Sequence, residues 1–128
     1  MTARQPHRSR RNATGKLGEE IATRHFMSEG YRILNRNWRC RSGELDLVAE
    51  YEGTIVVIEV RTRTSGGRFG TAAESVDYRK QYRVRSLAEV YLRQNGYAGV
   101  PVRFDVAAIT LDRFTDEVAE FRHIESAF

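Results

Sequence analysis

Two acidic residues near the middle of the chain, Asp46 and Glu59, lie on either side of Glu52-Gly53, a dipeptide typical of short hairpin turns. If that turn contains two residues, the paired strands place Asp46 directly opposite Glu59, with their Cβ atoms about 4.5–5.5 Å apart. A four-residue turn keeps the same register, whereas a three-residue turn would offset the two acids by one position. The spacing therefore predicts a pair of neighbouring carboxylates on one face of a hairpin.

Two carboxylates at that distance repel each other, and an unpaired charge is costly to bury. Glu59 interrupts Ile55-Val56-Val57-Ile58-Glu59-Val60, an apolar run typical of a central strand that is covered on both faces. A divalent cation with oxygen ligands would resolve both costs, and such an ion activates water and polarises a phosphoryl group. The alternative is structural: Glu59 pairs with a nearby arginine, and Asp46 belongs to a turn. Arg61, which shares the face of Glu59, is predicted to lie opposite Glu44.

A third acid, Glu19, lies in the first predicted helix. It shares a ridge with Ala22 and Phe26, at i+3 and i+7, so it is predicted to point along the edge of the core. Its neighbour Glu20 faces Arg24 at i+4, the spacing of an ordinary solvated ion pair. Of the two acids, Glu19 is therefore the candidate for a role in chemistry.

The elements that must position these acids alternate between helices and strands, which predicts an α/β fold around a mixed sheet. We expect a helix from Thr14 to Gly30, a strand over 31–34, hairpin strands over 44–51 and 54–62, a helix over 72–95 that ends at Asn95-Gly96, a strand over 102–110 and a short strand in the last residues.

Several short motifs occur in order along the chain. They are Gly15-x-x-Gly18-Glu19-x-x-Ala22, Gly43-Glu44-Leu45-Asp46-Leu47-Val48, Val57-Ile58-Glu59-Val60-Arg61-Thr62-Arg63, Arg79-Lys80 and Phe104-Asp105-Val106. Together they resemble the YraN-like family of small bacterial proteins, itself similar to archaeal Holliday-junction resolvases. Those proteins belong to the restriction-endonuclease-like superfamily, which carries the PD-(D/E)xK nuclease motif. The resemblance runs from about Gly15 to Thr110.

The resemblance implies a restriction-endonuclease-like sandwich, in which a central mixed β-sheet is flanked by helices. It also implies roles for four residues. Asp46 and Glu59 match the acids that bind Mg²⁺ or Mn²⁺, with the carbonyl of Val60 as an additional ligand. Glu19 resembles the first-helix acid that orients the metal or the water.

One position departs from the family's motif, because Arg61 stands where the motif normally has lysine. A lysine can lose its proton near the attacking water, whereas a guanidinium stays protonated and cannot act as a general base. Arg61 could still stabilise charge on a phosphate in the transition state. Lys80, four residues from both Val76 and Val84 in the second helix, is a candidate for the missing amine. The alternative for Lys80 is a lysine that snorkels from the edge of the apolar stripe.

Basic side chains flank the predicted acidic hairpin. Such side chains hold phosphates in place without reading the sequence, and Trp38 could stack on an exposed base or a frayed end. The alternative for Trp38 is a core tryptophan that caps the sheet. The predicted nucleic-acid contacts are Arg36, Trp38, Arg39, Arg41, Arg63 and Arg68.

Two further sets of residues are predicted to have no part in the site. Tyr78, Tyr82 and Tyr91 recur at helical spacing and are predicted to pack in the core. His7, His25 and His123 are scattered along the chain and indicate no metal cluster.

The basic charge is concentrated at the beginning of the chain. The first 16 residues hold five of the 21 basic side chains and no acid, leaving 16 basic and 17 acidic groups in the remainder. Residues 1–13 are therefore predicted to form a disordered basic tail, which either touches phosphates or only aids solubility. Residues 14–128 are predicted to form a single nuclease-like domain.

Composition excludes several classes of protein. No apolar run is long enough to span a membrane, and the basic beginning lacks the apolar stretch of a secretory signal. Cys40 is the single cysteine, which excludes a disulfide framework and a zinc site built on paired thiols. We therefore expect a cytoplasmic protein without membrane contact.

Three functions follow from these residues and from the resemblance. The first is a metal-dependent endonuclease that hydrolyses phosphodiesters in DNA, including branched, structured or single-stranded DNA. The second is a non-catalytic nucleic-acid-binding module whose nuclease site is degenerate, and the third is a protein-interaction adaptor. Whether the chain is an enzyme depends on the consequence of Arg61. The exposed end of the sheet and the long helix also leave room for a homodimer.

Overall fold

The computed structural model describes the backbone of residues 6–65 and 76–128 and the side chains of residues 13–65 and 76–128. Two helices and five strands follow one another in the predicted order. They are α1 (Pro6–Ser28), β1 (Arg32–Cys40), β2 (Gly43–Tyr51), β3 (Thr54–Thr64), α2 (Tyr78–Gln94), β4 (Val102–Leu111) and β5 (Val118–Ile124).

The five strands form one mixed sheet in the order β1-β2-β3-β4-β5. β3 and β4 are parallel, and the other neighbouring strands are antiparallel. A parallel pair needs a crossover connection, which here contains α2. The β2–β3 hairpin turns at Glu52-Gly53 and pairs Tyr51 with Thr54 and Ala49 with Val56, which confirms the predicted two-residue turn and its register.

Each face of the sheet is covered by one helix. On one face, Ala22 and Phe26 of α1 pack against buried side chains that include Ile58 and Ile109. On the other face, α2 packs its buried side chains against the sheet, where they meet Val57 among others; these helix residues are Val84, Leu87, Ala88 and Tyr91. The structure is therefore the predicted α/β sandwich of the restriction-endonuclease-like type.

The first helix begins earlier than predicted. α1 starts at Pro6 rather than at Thr14, because no strong helix breaker separates the two positions and a helix already anchored by packing extends at little further cost. It ends at Ser28, two residues before Gly30, and this glycine, which was predicted to stop the helix, follows in the turn with a φ of 89° that suits a residue without a side chain. Residues 1–5 and the side chains through Asn12 lie outside the described part of the chain, so the unfolded tail stays a prediction for residues 1–5.

The prediction that three tyrosines of α2 pack in the core is wrong for two of them. Tyr91 is buried, but Tyr78 is 87% exposed and Tyr82 is 76% exposed. The buried stripe of α2 consists of Val84, Leu87, Ala88 and Tyr91, and the helical spacing of Tyr78 and Tyr82 places these two tyrosines on the opposite side of the helix. Among the residues that the structure describes, no helix has the length and apolar character required to cross a bilayer.

Candidate active site

The two acids of the hairpin meet where β2 separates from β3. The strand pairing ends at Leu47 and Ile58, and the side chain of Asp46 then takes the place of the next backbone partner. Its Oδ2 accepts a hydrogen bond of 2.9 Å from the N–H of Val60, and the two carboxyl groups of Asp46 and Glu59 are hydrogen-bonded to each other. The predicted juxtaposition of the acids is therefore present, in direct contact.

The contact between the carboxyl groups requires a shared proton. Burial, the hydrogen bond that protonated Asp46 donates to Glu59 and the repulsion by the charge of Glu59 together raise the pKa of Asp46 to about 8. The N–H of Val60 and the ammonium of Lys80 act in the opposite direction but are outweighed. At neutral pH the metal-free pair thus holds one proton, the state expected of two carboxylates that share a site.

Lys80 reaches the same site from α2. Its Nζ lies 3.6 Å from Oε1 of Glu59, and the side chain of Glu59 is only 11% exposed. Asp77 caps the helix by accepting a hydrogen bond from the N–H of Lys80, which fixes the first turn against the sheet. Lys80 therefore combines both predicted features: its stem lies at the edge of the apolar stripe and its ammonium contacts a candidate metal ligand.

Glu19 approaches the acids from α1, on the other side of the sheet. Its carboxyl group is hydrogen-bonded to the side chain of Asn37, a residue of β1 with a φ of 51°. Burial raises the pKa of Glu19, and the charge of Asp46 raises it further. Sequence reasoning missed Asn37, although asparagine is one of the few residues that readily adopts a left-handed conformation beside a functional group.

A groove on the α1 face includes Glu19 in its lining. Its volume of about 1120 Å³ exceeds the roughly 300–1,000 Å³ of small-molecule pockets, so it is an open channel. It lies between the first half of the described part of α1, the end of β3 and the β4–β5 turn. The residues that line it are Ala13, Thr14, Gly15, Leu17, Glu19, Val60, Arg61, Thr62, Arg63, Thr64, Arg113, Phe114 and Asp116.

Arg61 and Arg63 therefore line the same groove as Glu19. The predicted position of Arg61 opposite Glu44 is wrong, because the β2–β3 pairing has already ended and this part of β3 pairs with β4 alone, Arg61 with Ala108. Glu44 instead forms an ion pair of 2.8 Å with Arg39.

The arginines on β1 and directly after it, which were predicted to contact nucleic acid, differ in whether they form ion pairs. Arg36 forms an ion pair of 3.1 Å with Glu20, which also bonds Arg24 as predicted. Arg39 is paired with Glu44, and Arg41 is exposed in the connection to β2. Exposed pairs of this kind cost little to break, so they do not prevent phosphate contacts. Arg68 lies outside the described residues.

Trp38 occupies an intermediate environment. It is half-buried and packs edge-on against Tyr91 of α2, with ring centroids 5.4 Å apart. Tyr91 in turn donates a hydrogen bond of 2.6 Å to the side chain of Asn35. This packing corresponds to the alternative in which Trp38 caps the sheet.

The most connected polar cluster was missed by sequence reasoning. Asp105 of β4 is fully buried and accepts hydrogen bonds from the Arg103 guanidinium at 2.9 Å and the N–H of Ser126 at 3.0 Å. His123 Nε2 lies 2.7 Å from the same carboxylate, and Arg103 also donates to Tyr31. Because its members are distant in the sequence, only the pairing of β4 with β5 brings them together. Every strong acceptor is satisfied, so the cluster is structural.

The acids that could hold a metal are few. Among the described side chains, no group of three or more histidine, cysteine, aspartate or glutamate residues is arranged to bind an ion. Asp46 and Glu59 nevertheless fit Mg²⁺ or Mn²⁺, because magnesium commonly binds through one or two carboxylates together with water and substrate phosphate.

The fold is an α/β sandwich of the restriction-endonuclease-like type, and sequence comparison places the chain within one family. A model of the uncharacterised protein family UPF0102 matches residues 18–109. The chain belongs to this family, which confirms the resemblance to the YraN-like proteins. The match includes Gly18, Glu19 and both acids of the hairpin.

Relatives in several bacteria align over nearly their whole length. A UPF0102 protein of Moorella thermoacetica is 50% identical over 118 residues, which cover 92% of this chain and 97% of that protein. One from Frankia casuarinae is 45% identical over 118 residues, with 92% and 98% covered. One from Caldanaerobacter subterraneus is 36% identical over 118 residues, with 92% and 96% covered. Their names state the family and no activity.

Proposed function

We propose that this protein is a metal-dependent endonuclease that hydrolyses phosphodiester bonds in DNA, including branched or otherwise structured DNA. The observation that supports this function best is the contact between Asp46 and Glu59. These two acids share a proton next to Lys80, and the neighbouring Val60 and Glu19 line a groove that also contains arginines. Burying two neighbouring carboxyl groups lowers the stability of the folded protein. Carboxyl groups whose pKa values are shifted in this way are typical of functional sites.

Five side chains and one backbone carbonyl have roles in this proposal. Asp46 and Glu59 hold Mg²⁺ or Mn²⁺, with the Val60 carbonyl as a further ligand. Glu19, at the edge of the groove, orients the attacking water. The cation, when bound, supplies Lewis-acid stabilisation of the phosphate and lowers the pKa of water. Arg61 and Arg63 position the DNA backbone along the groove, because guanidinium groups bind phosphate in a fixed geometry.

The central test replaces each acid separately and measures cleavage and binding. We expect Asp46→Asn and Glu59→Gln to reduce metal-dependent cleavage of a labelled four-way junction, flap or duplex at least roughly a hundredfold. Binding of the same DNA in EDTA should remain close to that of the wild type. Glu50→Gln is the matched control, since Glu50 lies on β2 and pairs with Arg32 at the exposed edge. Undiminished cleavage by the Glu59→Gln protein would refute the mechanism.

The second candidate is a nucleic-acid-binding module that has lost turnover. The observation that favours it is the presence of Arg61 where the nuclease motif normally has lysine. In this case the wild type binds DNA in a salt-sensitive manner and yields no product with either metal.

Lys80 and Arg61 distinguish the two candidates. If Lys80 supplies the amine, Lys80→Met lowers cleavage by roughly 10²–10⁴-fold, and adding Arg61→Lys to that variant restores part of it. If the site is degenerate, Arg61→Lys alone creates cleavage in an inactive protein. Cleavage that is unaffected by Lys80→Met would exclude Lys80 from the mechanism. Circular dichroism would verify that each variant is folded.

A further inference from the structure

An aromatic side chain that the candidate mechanism does not use projects beside the groove. Phe114, in the turn between β4 and β5, is 86% exposed. A phenylalanine ring exposed to water contributes nothing to the stability of the fold. The exposure of Phe114 is therefore compatible with a role in binding rather than in packing. Phe114 also lines the groove that contains Glu19 and Val60. The ring thus shares a channel with the residues proposed to act on phosphate.

The turn holds Phe114 in a defined position. The carboxylate of Asp112 accepts hydrogen bonds from the N–H groups of Phe114 and Thr115, at 2.8 and 3.0 Å. The backbone of Asp112 is bonded to both Glu117 and Asp116 across the turn. A side chain presented from a turn with this many internal bonds is pre-organised, which reduces the entropy lost on binding.

The surroundings of the ring favour an anionic ligand. Three guanidinium groups, those of Arg61, Arg63 and Arg113, line the same groove, compared with two carboxylates, Glu19 and Asp116. The guanidinium of Arg113 lies 5.3 Å from the centre of the Phe114 ring, within the range of a cation–π contact. An exposed ring among arginines is the arrangement with which proteins bind single-stranded nucleic acid, where bases stack on the ring and phosphates meet the cations.

Three other aromatic side chains of the described residues lie away from this groove. Trp38 packs on Tyr91 and is half-buried, while Tyr78 and Tyr82 project from α2 on the opposite face of the sheet. We propose that Phe114 is a stacking site for an unpaired base of the DNA strand that occupies the α1 groove. This inference rests on the proposed function in taking the occupant of the groove to be DNA.

The site would give the protein a preference for DNA with unpaired bases. In a continuous duplex, both faces of each base are already stacked on neighbours and have no free face for Phe114. A junction, flap or frayed end offers such a face at small cost. Phe114 is thus a specificity-determining residue, and it acts on binding whether or not the strand is cut.

The test measures binding without cleavage. Fluorescence anisotropy in EDTA compares a labelled single-stranded oligonucleotide with a blunt duplex of the same sequence. We expect Phe114→Ala to weaken single-strand binding roughly tenfold and to leave duplex binding unchanged. Tyr82→Ala is the matched control, because it removes an equally exposed aromatic ring from the other face. Phe114→Trp should retain the affinity, and its emission, corrected for the single natural Trp38, should be quenched by bound single strand.

Each outcome has a separate meaning. If wild-type protein binds single strands and Phe114→Ala binds them equally well, the stacking site is refuted while the nuclease proposal stands. Equal weakening on single strand and duplex also refutes it, because that result indicates a contact with the backbone. If the wild type binds neither DNA, the stacking site is refuted, and metal-dependent cleavage of the four-way junction decides the nuclease proposal separately. If Phe114→Ala loses single-strand binding but Asp46→Asn still cleaves, the stacking site stands and the proposed catalytic centre fails.

Discussion

At the scale of single residues, the candidate site depends on the proton that Asp46 and Glu59 share. The carboxyl group of Asp46 has to serve two demands, since folding favours its protonated form and metal binding requires the ionised form. Burial and Glu59 raise its pKa to about 8, far above the 3.8 of an ordinary aspartate. The register of the hairpin predicted the contact, but the protonation state depends on burial, which only the packed sheet determines.

Asp46→Asn should therefore stabilise the metal-free protein while removing activity. The amide oxygen can accept a hydrogen bond from the N–H of Val60, and the amide nitrogen can donate one to Glu59. Both hydrogen bonds of the protonated acid are therefore retained. Because the folded-state pKa is raised, the stability that the wild-type acid contributes is complete below about 3.8 and is lost as pH rises through about 8. At pH 8 we expect the free energy of unfolding of the variant to exceed that of the wild type by several kcal/mol, with an upper bound of about 5 kcal/mol set by the difference between the two pKa values.

Chemical denaturation in EDTA at a series of pH values measures this difference. The advantage of the variant should shrink toward the acid end of the series, where wild-type Asp46 keeps its proton in both states. Glu50→Gln, at the exposed edge of the same strand, should show no such trend. A variant that is less stable than the wild type at pH 8 would show that Asp46 is ionised in the folded protein.

At the level of elements, the close approach of α1 to β3 brings Glu19 to the hairpin acids. The two motif glycines of α1 differ in this respect. A Cβ at Gly18 would lie 1.9 Å from Oγ1 and 2.8 Å from Cβ of Thr62, whereas a Cβ at Gly15 would meet nothing within 4 Å. The spacing of the two glycines was visible in the sequence, but the reason for Gly18 was not, because Thr62 belongs to a strand far along the chain.

Replacing each glycine by alanine separates packing from helix propensity. Gly18→Ala should destabilise the protein by about 1–3 kcal/mol, because the helix must move away from β3. It should also lower cleavage, since Glu19 moves with the helix. Gly15→Ala should be neutral or stabilise by up to about 1 kcal/mol, since alanine favours a helix. Thermal unfolding measures both, and equal melting temperatures for the two variants would contradict the close-approach interpretation.

At the level of the whole molecule, the buried Asp105 cluster connects elements that are far apart in sequence. Asp105 lies on β4, His123 on β5, Tyr31 precedes β1, and Ser126 follows the last strand. Burial alone would raise the pKa of Asp105, but hydrogen bonds from His123, Arg103 and the N–H of Ser126 outweigh it and hold the pKa below its ordinary value.

The Asp105 cluster should contribute much of the stability of the folded protein. Protonation of Asp105 should therefore cause much of the loss of stability in acid. Because the folded-state pKa is lowered, the contribution is complete above the unfolded-state value near 3.8 and is lost as pH falls through the folded-state value. Asp105→Asn should cost about 3–5 kcal/mol at neutral pH, since it leaves Arg103 buried without its carboxylate. Asp116→Asn, at an exposed turn position with a φ of 61° that asparagine also accepts, is the control.

Denaturation curves across the acid range measure this dependence. The wild type should lose stability steeply below the ordinary aspartate pKa, and Asp105→Asn should show a shallower slope from a lower starting value. Parallel slopes for the two proteins would assign acid unfolding to other carboxylates.

The sequence by itself determined the order of the elements, the hairpin and the meeting of Asp46 with Glu59. These are local properties, since a two-residue turn and strict alternation set the register over a few positions. Glu20 with Arg24, and the helix ends near Gly30 and Asn95-Gly96, were predictable for the same reason.

Tertiary structure alone decided which side chains are buried and which face a groove. It placed Arg61 away from Glu44, left Tyr78 and Tyr82 in water, and brought Phe114 beside Glu19. Each of these outcomes depends on how elements distant in sequence pack against one another. Periodicity within one element predicts that a stripe exists, but the width of the covered stripe is set by the partner surface, which the local pattern does not contain.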